Sequence, residues 1–118
     1  MTRYARLARL RPDKIDQYLR LHAAVWPEVL AALHRAGVRN YTIFRRGDLL
    51  FSYFEYAGSD YPADRARLLA DPAMERWNRL TAPCLLPADP PAGQELWPRL
   101  EEIFHTDSPP DPVKSPDE

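Results

Sequence analysis

Apolar and polar positions change period along this chain, and each change marks an element. From Arg3 to Leu10 they alternate, with Ala5 and Leu7 on one face and Tyr4, Ala8 and Leu10 on the other. That predicts a strand, ended by Arg11-Pro12-Asp13. From Asp13 the spacing turns helical: Ile15, Leu19, His22 and Trp26 share a face, with Tyr18 beside them. Pro27 either breaks this helix or occupies the first turn of another, where its missing N–H is not needed. The piece from Glu28 to Ala36 turns Val29, Leu30 and Leu33 inward and stops at Gly37, a common C-terminal stop. Two strands follow, Val38 to Phe44 and Leu49 to Phe54, around a turn at Arg46-Gly47-Asp48. After Gly58-Ser59-Asp60, the stretch from Tyr61 to Leu80 reads as helix, restarted at Asp71-Pro72 with the aspartate as N-cap. A proline-rich connection, Pro83 to Pro91, leads to a short final strand expected around Leu100, Ile103 and Phe104.

The order β-α-β-β-α-β predicts an α+β fold of the ferredoxin-like kind, with four antiparallel strands and helices on one face. The other face is also apolar. Along the hairpin Tyr41 and Ile43 point one way and Phe44 the other; Leu49, Phe51 and Tyr53 oppose Leu50 and Phe54. A solvated face would alternate more cleanly, and a large apolar patch marks an interface. The expected assembly is a two-fold homodimer.

Composition narrows the class. At 118 residues, 45% hydrophobic and 28% charged, the chain suits one globular domain. A net charge of −1 gives no basic footprint, so no nucleic-acid partner is expected. The N-terminal MTRYARLARLRP lacks the apolar run of a signal peptide, and no stretch nears the roughly 20 apolar residues of a membrane span, so no membrane partner is expected. Cys84 has no disulfide partner in the chain and reads as an inert small hydrophobe; a cytoplasmic location fits. Nine of the 13 prolines follow residue 82, which separates a domain at 1–106 from a Pro-rich tail at 107–118. That tail is expected to be disordered, having too little apolar surface to offset its ordering entropy.

The chemistry-bearing residues are few. His22, His34 and His105 lie far apart, no Cys-x-x-Cys or glycine-rich loop is present, and no Gly-x-Ser-x-Gly occurs, so neither metal nor cofactor is expected. What remains is polar and aromatic: Tyr18 and His22 at i and i+4, Trp26, Asn40-Tyr41, and Arg76-Trp77-Asn78. Rings that pack on the C–H face of a pyranose, with hydroxyls and amides for its OH groups, suit a sugar. Histidine suits proton transfer near neutral pH. Each residue also has a plainer reading. Tyr18 and His22 could border an amphipathic helix, Trp26 and Trp77 could be core or interface anchors, Tyr41 a half-buried sheet residue, and Arg76 a solvated one. His34, His105 and Glu101-Glu102 read as surface or tail.

Taken together, three segments resemble the L-rhamnose mutarotase family. Tyr18-Leu-Arg-Leu-His22-Ala-Ala-Val-Trp26-Pro27-Glu28 is similar to its Y-x-x-x-H-x-x-x-W-P-E run. Gly37-Val-Arg-Asn40-Tyr41-Thr-Ile43-Phe44 with Leu49-Leu50-Phe51 resembles its N-Y strand and return strand. Arg76-Trp77-Asn78 stands where the family usually has R-W-W, so Asn78 replaces a tryptophan, and Leu-Glu-Glu-Ile-Phe resembles its closing strand. The likeness covers roughly residues 1 to 105. It implies a dimeric α+β barrel and a cofactor-free enzyme acting on a free monosaccharide, a 6-deoxy-aldose such as L-rhamnose, with His22 as catalytic acid/base. It implies Tyr18, Tyr41 and Trp77, with Asn78 at the altered position, as substrate-binding residues. His22 would give a proton to the ring oxygen. Two rivals share this architecture: a cofactor-free monooxygenase, and a non-enzymatic ligand-binding dimer.

Overall fold

The computed structural model describes residues 1–87 and 95–107. Its elements are β1 (Thr2–Leu10), a 3-10 turn (Pro12–Lys14), α1 (Ile15–His22), α2 (Pro27–Arg35), β2 (Val38–Arg46), β3 (Leu49–Tyr56), α3 (Tyr61–Ala70), α4 (Pro72–Thr81), a second 3-10 turn (Ala82–Cys84) and β4 (Leu85–Leu86). The sheet order is β2-β3-β1-β4, antiparallel throughout, as the ferredoxin-like order requires. Most of the tail, residues 108–118, and part of the proline-rich connection, 88–94, lie outside the described residues.

Local chemistry explains the breaks. Pro27 opens α2, with Trp26 extended before it. Gly37 follows the helix at φ 86°, a left-handed position that favours glycine. Gly47, at φ 60°, takes the first of two loop positions in the β2–β3 hairpin, where a positive φ matches the strand twist. Asp71 caps α4 by accepting from the N–H groups of Ala73 (2.9 Å) and Met74 (3.2 Å). Those bonds, with Met74 foremost, hold its carboxyl below the usual range.

Register assigns the faces. Thr2 pairs with Tyr56, Tyr4 with Phe54, Arg6 with Ser52 and Ala8 with Leu50. These residues face the helices, since Ser52, Phe54, Tyr56, Leu50, Ala8 and Leu10 are buried. The opposite face carries Ala5, Leu7, Phe51 and Tyr53, with Phe44 paired to Phe51 and 59% exposed. Three buried clusters form the core. One, around Tyr18, Leu10, Leu50 and Cys84, sits at one end of the sheet. Another, around Val29, Met74 and Trp77, joins the helices. The third, around Val38, Phe54 and Tyr56, closes the other end.

Four expectations need correction. The fourth strand is Leu85–Leu86, against Arg9 and Leu10; the region of Leu100, Ile103 and Phe104 contributes only an Arg6–Arg99 bridge, with hydrogen bonds from Leu7 to Pro98 and from Leu100 to Ala5. Ile103 and Phe104 are 89% and 77% exposed. Leu30 is not inward: α2 buries Val29 and Ala32, and Leu30 lies about 100° round the helix from Val29. Leu19 is exposed rather than sharing a buried face with Ile15. Trp26 is not on α1, which ends at His22.

Candidate functional site

Two walls face each other between the helices and the sheet. The helical wall starts on α1, where Tyr18 and His22 stand one turn apart. Their rings stack with centroids 4.1 Å apart and planes 27° apart. His22 Nδ1 lies 2.9 Å from the Tyr18 carbonyl oxygen. A carbonyl only accepts, so Nδ1 donates and the neutral ring keeps its lone pair on Nε2. From α4, Trp77 sets its ring edge against His22 at 5.3 Å. Trp26 meets Trp77 edge-on at 5.2 Å, reaching it through the turn before Pro27 rather than along α1. Tyr18 and Trp77 are buried while His22 stays half-buried, so its accessible edge is framed by aromatic surface. Burial pulls the His22 pKa below 6.5, opposed in part by the bond to the Tyr18 carbonyl.

The sheet wall depends on an irregularity. Between Arg39, opposite Glu55, and Thr42, opposite Tyr53, β2 carries an extra residue. Asn40 absorbs it at φ 52°, and its amide bonds to the Glu55 carboxylate. Asparagine tolerates this left-handed conformation better than most residues. The bulge turns Tyr41 toward the helices; its ring lies 5.7 Å from that of Phe54. Tyr4 and Tyr61 stack at 4.5 Å and flank Phe54 at 5.1 and 5.9 Å. Arg6 donates to the Tyr61 hydroxyl at 3.0 Å and holds its guanidinium 5.6 Å from the Phe54 ring centre.

The phenols join the walls. Tyr41 leaves 44% of its surface exposed, but its hydroxyl end is buried, and this desolvation raises its pKa; the Arg6 cation pulls it back. Burial likewise raises the Tyr18 phenol, with the neighbouring Tyr41 hydroxyl adding to the effect. Both therefore stay protonated near neutral pH and can donate to a bound oxygen. Two open clefts elsewhere, one between β1 and residues 99–102 and one between α2 and α3, contain none of Tyr18, His22, Tyr41 or Trp77. Among the described residues no group of three His, Cys, Asp or Glu could hold a metal.

A sequence model of L-rhamnose mutarotase matches residues 3–106. The chain belongs to the L-rhamnose mutarotase family. An L-rhamnose mutarotase of Burkholderia orbicola (strain MC0-3) is 38% identical over 99 residues, 82% of this chain and 90% of that protein. An L-fucose mutarotase of Xanthomonas campestris pv. campestris is 43% identical over 70 residues, 56% of this chain and 55% of that protein. In three dimensions, the crystal structure of an L-rhamnose mutarotase from Formosa agariphila superposes with a TM-score of 0.70 at 24% identity, covering 91% of this chain and all of that one.

Of the residues singled out in this mutarotase-family sequence, Tyr18, His22 and Trp77 touch in a chain of rings, and Tyr41 faces them from the sheet. Asn78 is partly buried on the flank of α4, with Met74 and Thr81 buried one turn to either side. Arg76 is exposed, and so are His34 and His105. Phe54, Tyr61 and Arg6 escaped the sequence reading. A signal existed for Arg6: the inward face of β1 reads Tyr4, Arg6, Ala8, Leu10, a charge in the middle of an otherwise apolar or aromatic face.

Proposed function

We propose that this protein interconverts the α and β anomers of a free 6-deoxy-aldose, most naturally L-rhamnose, by acid/base ring opening and closure at His22. The observation that carries this is the posture of His22. Its Nδ1 is tied to the Tyr18 carbonyl, its faces and edges meet Tyr18 and Trp77, and Nε2 is the nitrogen left for a ligand. Family membership supplies the substrate class, since relatives matched along most of their length are named L-rhamnose mutarotases.

Mutarotation moves one proton from the C1 hydroxyl to the ring oxygen, with no change of oxidation state. His22 has a lowered pKa and rests neutral near pH 7, so it begins as the base. Nε2 takes the C1 hydroxyl proton. The electrons form the C1 carbonyl as the C1–O5 bond breaks, and the imidazolium returns the proton to the ring oxygen. Sequence resemblance assigns His22 that donor role; its resting neutrality places base action first. Rotation about C1–C2 and the reverse steps close the other anomer. Tyr18 and Tyr41, held protonated, donate to sugar oxygens, and Trp77 offers apolar surface to the ring. Asn78, next to Trp77 on α4, is the proposed border of that surface. The monooxygenase and pure-binding readings have no comparable support.

Two copies joined through their outer sheet faces complete the assembly, in keeping with the apolar row of Leu7, Phe51 and Phe44. The site needs no cofactor in this mechanism, and a cytoplasmic location fits an intracellular sugar substrate. Saturation-transfer NMR on free aldoses tests the activity: exchange between anomers of L-rhamnose should quicken with catalytic amounts of protein, and an unaltered rate for every aldose tried would overturn it. Light scattering tests the assembly: the mass should be twice that of the chain, and Phe44→Glu should shift it to monomer.

A further inference from the structure

β1 carries three evenly spaced arginines, and one is treated differently. Arg3 and Arg9 lie on the outer face, and each has a carboxylate, Glu102 at 2.7 Å and Asp48 at 3.0 Å. Arg35, Arg67 and Arg79 are paired as well. Arg6 points inward, between Tyr4 and Ala8 on the face that the helices cover, and is half-buried. Among the described residues no carboxylate lies within ion-pair distance of it. Its hydrogen bond to the Tyr61 hydroxyl uses one of five N–H donors. Removing a charge from water without a counter-charge is costly, and proteins pair such charges. Here the surroundings are phenols and a phenyl face: Tyr61, the Tyr41 hydroxyl and Phe54. Arg99 adds a second cation nearby, bridged to Arg6 along the backbone and laid over the Tyr4 ring at 4.5 Å.

We propose that Arg6 is the anion-reading element of the sugar site, so that the protein accepts free aldoses carrying a carboxylate, the hexuronates. This rests on the mutarotase reading and names a substrate class for the same site. The guanidinium fork matches a carboxylate with two parallel hydrogen bonds, whereas a deoxy-sugar's methyl group offers it nothing. Arg6 and Tyr41 share one wall, so a ring whose hydroxyls meet Tyr41 places a substituent within the reach of Arg6. The chemistry at C1 is unchanged: His22 moves the same proton, and the carboxylate takes no part in bond breaking.

The test uses matched pairs that differ only at C6: L-rhamnose with L-mannuronate, and L-fucose with L-galacturonate. Anomer exchange and equilibrium binding are measured for the wild-type protein, Arg6→Gln and Arg6→Lys. The wild-type protein should quicken hexuronate exchange, with a KM that rises with salt for the uronates and not for the deoxy-sugars. Arg6→Gln should lower the uronate-to-deoxy-sugar ratio of kcat/KM by about 10–150-fold, the worth of a charged hydrogen-bond pair. Arg6→Lys, which keeps the charge and loses the fork, should fall between, and this also separates recognition from misfolding. The proposal is overturned if the wild-type protein exchanges rhamnose but neither binds nor exchanges uronates, or if the ratio is the same in all three proteins. If no sugar is exchanged, yet uronate binding is present and is lost in Arg6→Gln, the anion site stands and the mutarotase reading falls. Absence of both exchange and uronate binding overturns both.

Discussion

The two walls of the site are built by different rules. The helical wall is local: Tyr18 and His22 meet because they are four residues apart on one helix, and their stacking and the Nδ1 bond follow from that turn. Trp26 joins from the turn before Pro27, and Trp77 arrives from farther along the chain, on a helix whose N-cap at Asp71 fixes where its turns begin. The sheet wall is non-local. Tyr41 faces inward because one extra residue at Asn40 resets the alternation of β2, and Arg6 faces inward opposite Ser52 because β1 runs against β3 in one register. A one-residue slip would send Tyr41 or Arg6 to the outer face. The helical wall therefore holds the group proposed to move protons on a short lever. The sheet wall holds the groups proposed to read the sugar, and their placement depends on pairings made across the chain.

The largest expected effect breaks the helical wall. His22→Ala should slow anomer exchange by about 10²-fold or more. The far-UV circular dichroism and oligomeric mass should stay as they are, and L-rhamnose binding should survive in part through the tyrosines. Wild-type exchange by this variant would return His22 to the role of a helix-border residue. In the wild-type enzyme the pH profile should rise through an inflection below 6.5, because burial favours the neutral base. Stability follows the same sign. The folded pKa is depressed, so His22 contributes fully above about pH 6.5, and that contribution is lost as pH falls through the folded value. His22→Ala should lack the inflection.

What the sequence made legible follows this division. Tyr18, His22 and the caps of α2 and α4 are set by spacing and by single residues, and the periodicity exposed them. Leu30 departs from the expected inward face because Val29, Ala32 and Leu33 fix the inward stripe of α2, and adjacent apolar residues cannot all share it. The fourth strand was misplaced because Leu85–Leu86 is too short to alternate; its place comes from pairing with Arg9 and Leu10. Ile103 and Phe104 gave an apolar signal that the isolated chain leaves exposed. Arg6 is not legible as a site residue, since a strand pattern names the face of a residue and not what stands opposite.

A smaller effect tests the bulge. Asn40→Val places a β-branched residue at a positive φ, and it should lower unfolding free energy by about 1–2 kcal/mol. Asn40→Gly also loses the bond to Glu55 but suits the backbone. Urea melts that rank glycine well above valine would assign the cost to conformation; equal losses would assign it to the Glu55 bond. Smaller again is Tyr18→Phe. Its hydroxyl is held protonated, and removing one donor should cost about 0.5–1.5 kcal/mol in sugar contact, so roughly 2–13-fold in kcat/KM. A thermal midpoint that drops steeply instead would make Tyr18 a core residue alone, which its burial with Leu10 and Leu50 makes a fair contest.

The finest comparison is between the walls as proposed readers of the sugar, and Asn78 tests it on the helical side. It follows Trp77 on α4 and stands where, by the sequence resemblance, the family's R-W-W run has its second tryptophan, so on that reading the proposed apolar wall is narrower here by one indole. Its partial exposure leaves room for a larger side chain to lie along the helix flank without displacing Met74 or Thr81 from the core. Asn78→Trp should thus change selectivity more than stability. One added aromatic contact is worth about 0.5–1.5 kcal/mol, so the ratio of exchange rates between L-rhamnose and L-fucose should move by roughly 2–13-fold. The thermal midpoint should stay nearly fixed. An unchanged ratio would place Asn78 beyond the sugar's reach and leave selection to the sheet wall, where Tyr41 and Arg6 stand. A changed ratio alongside a changed Arg6 response would show that both walls contact the same ring, because substitutions that share a ligand do not act independently.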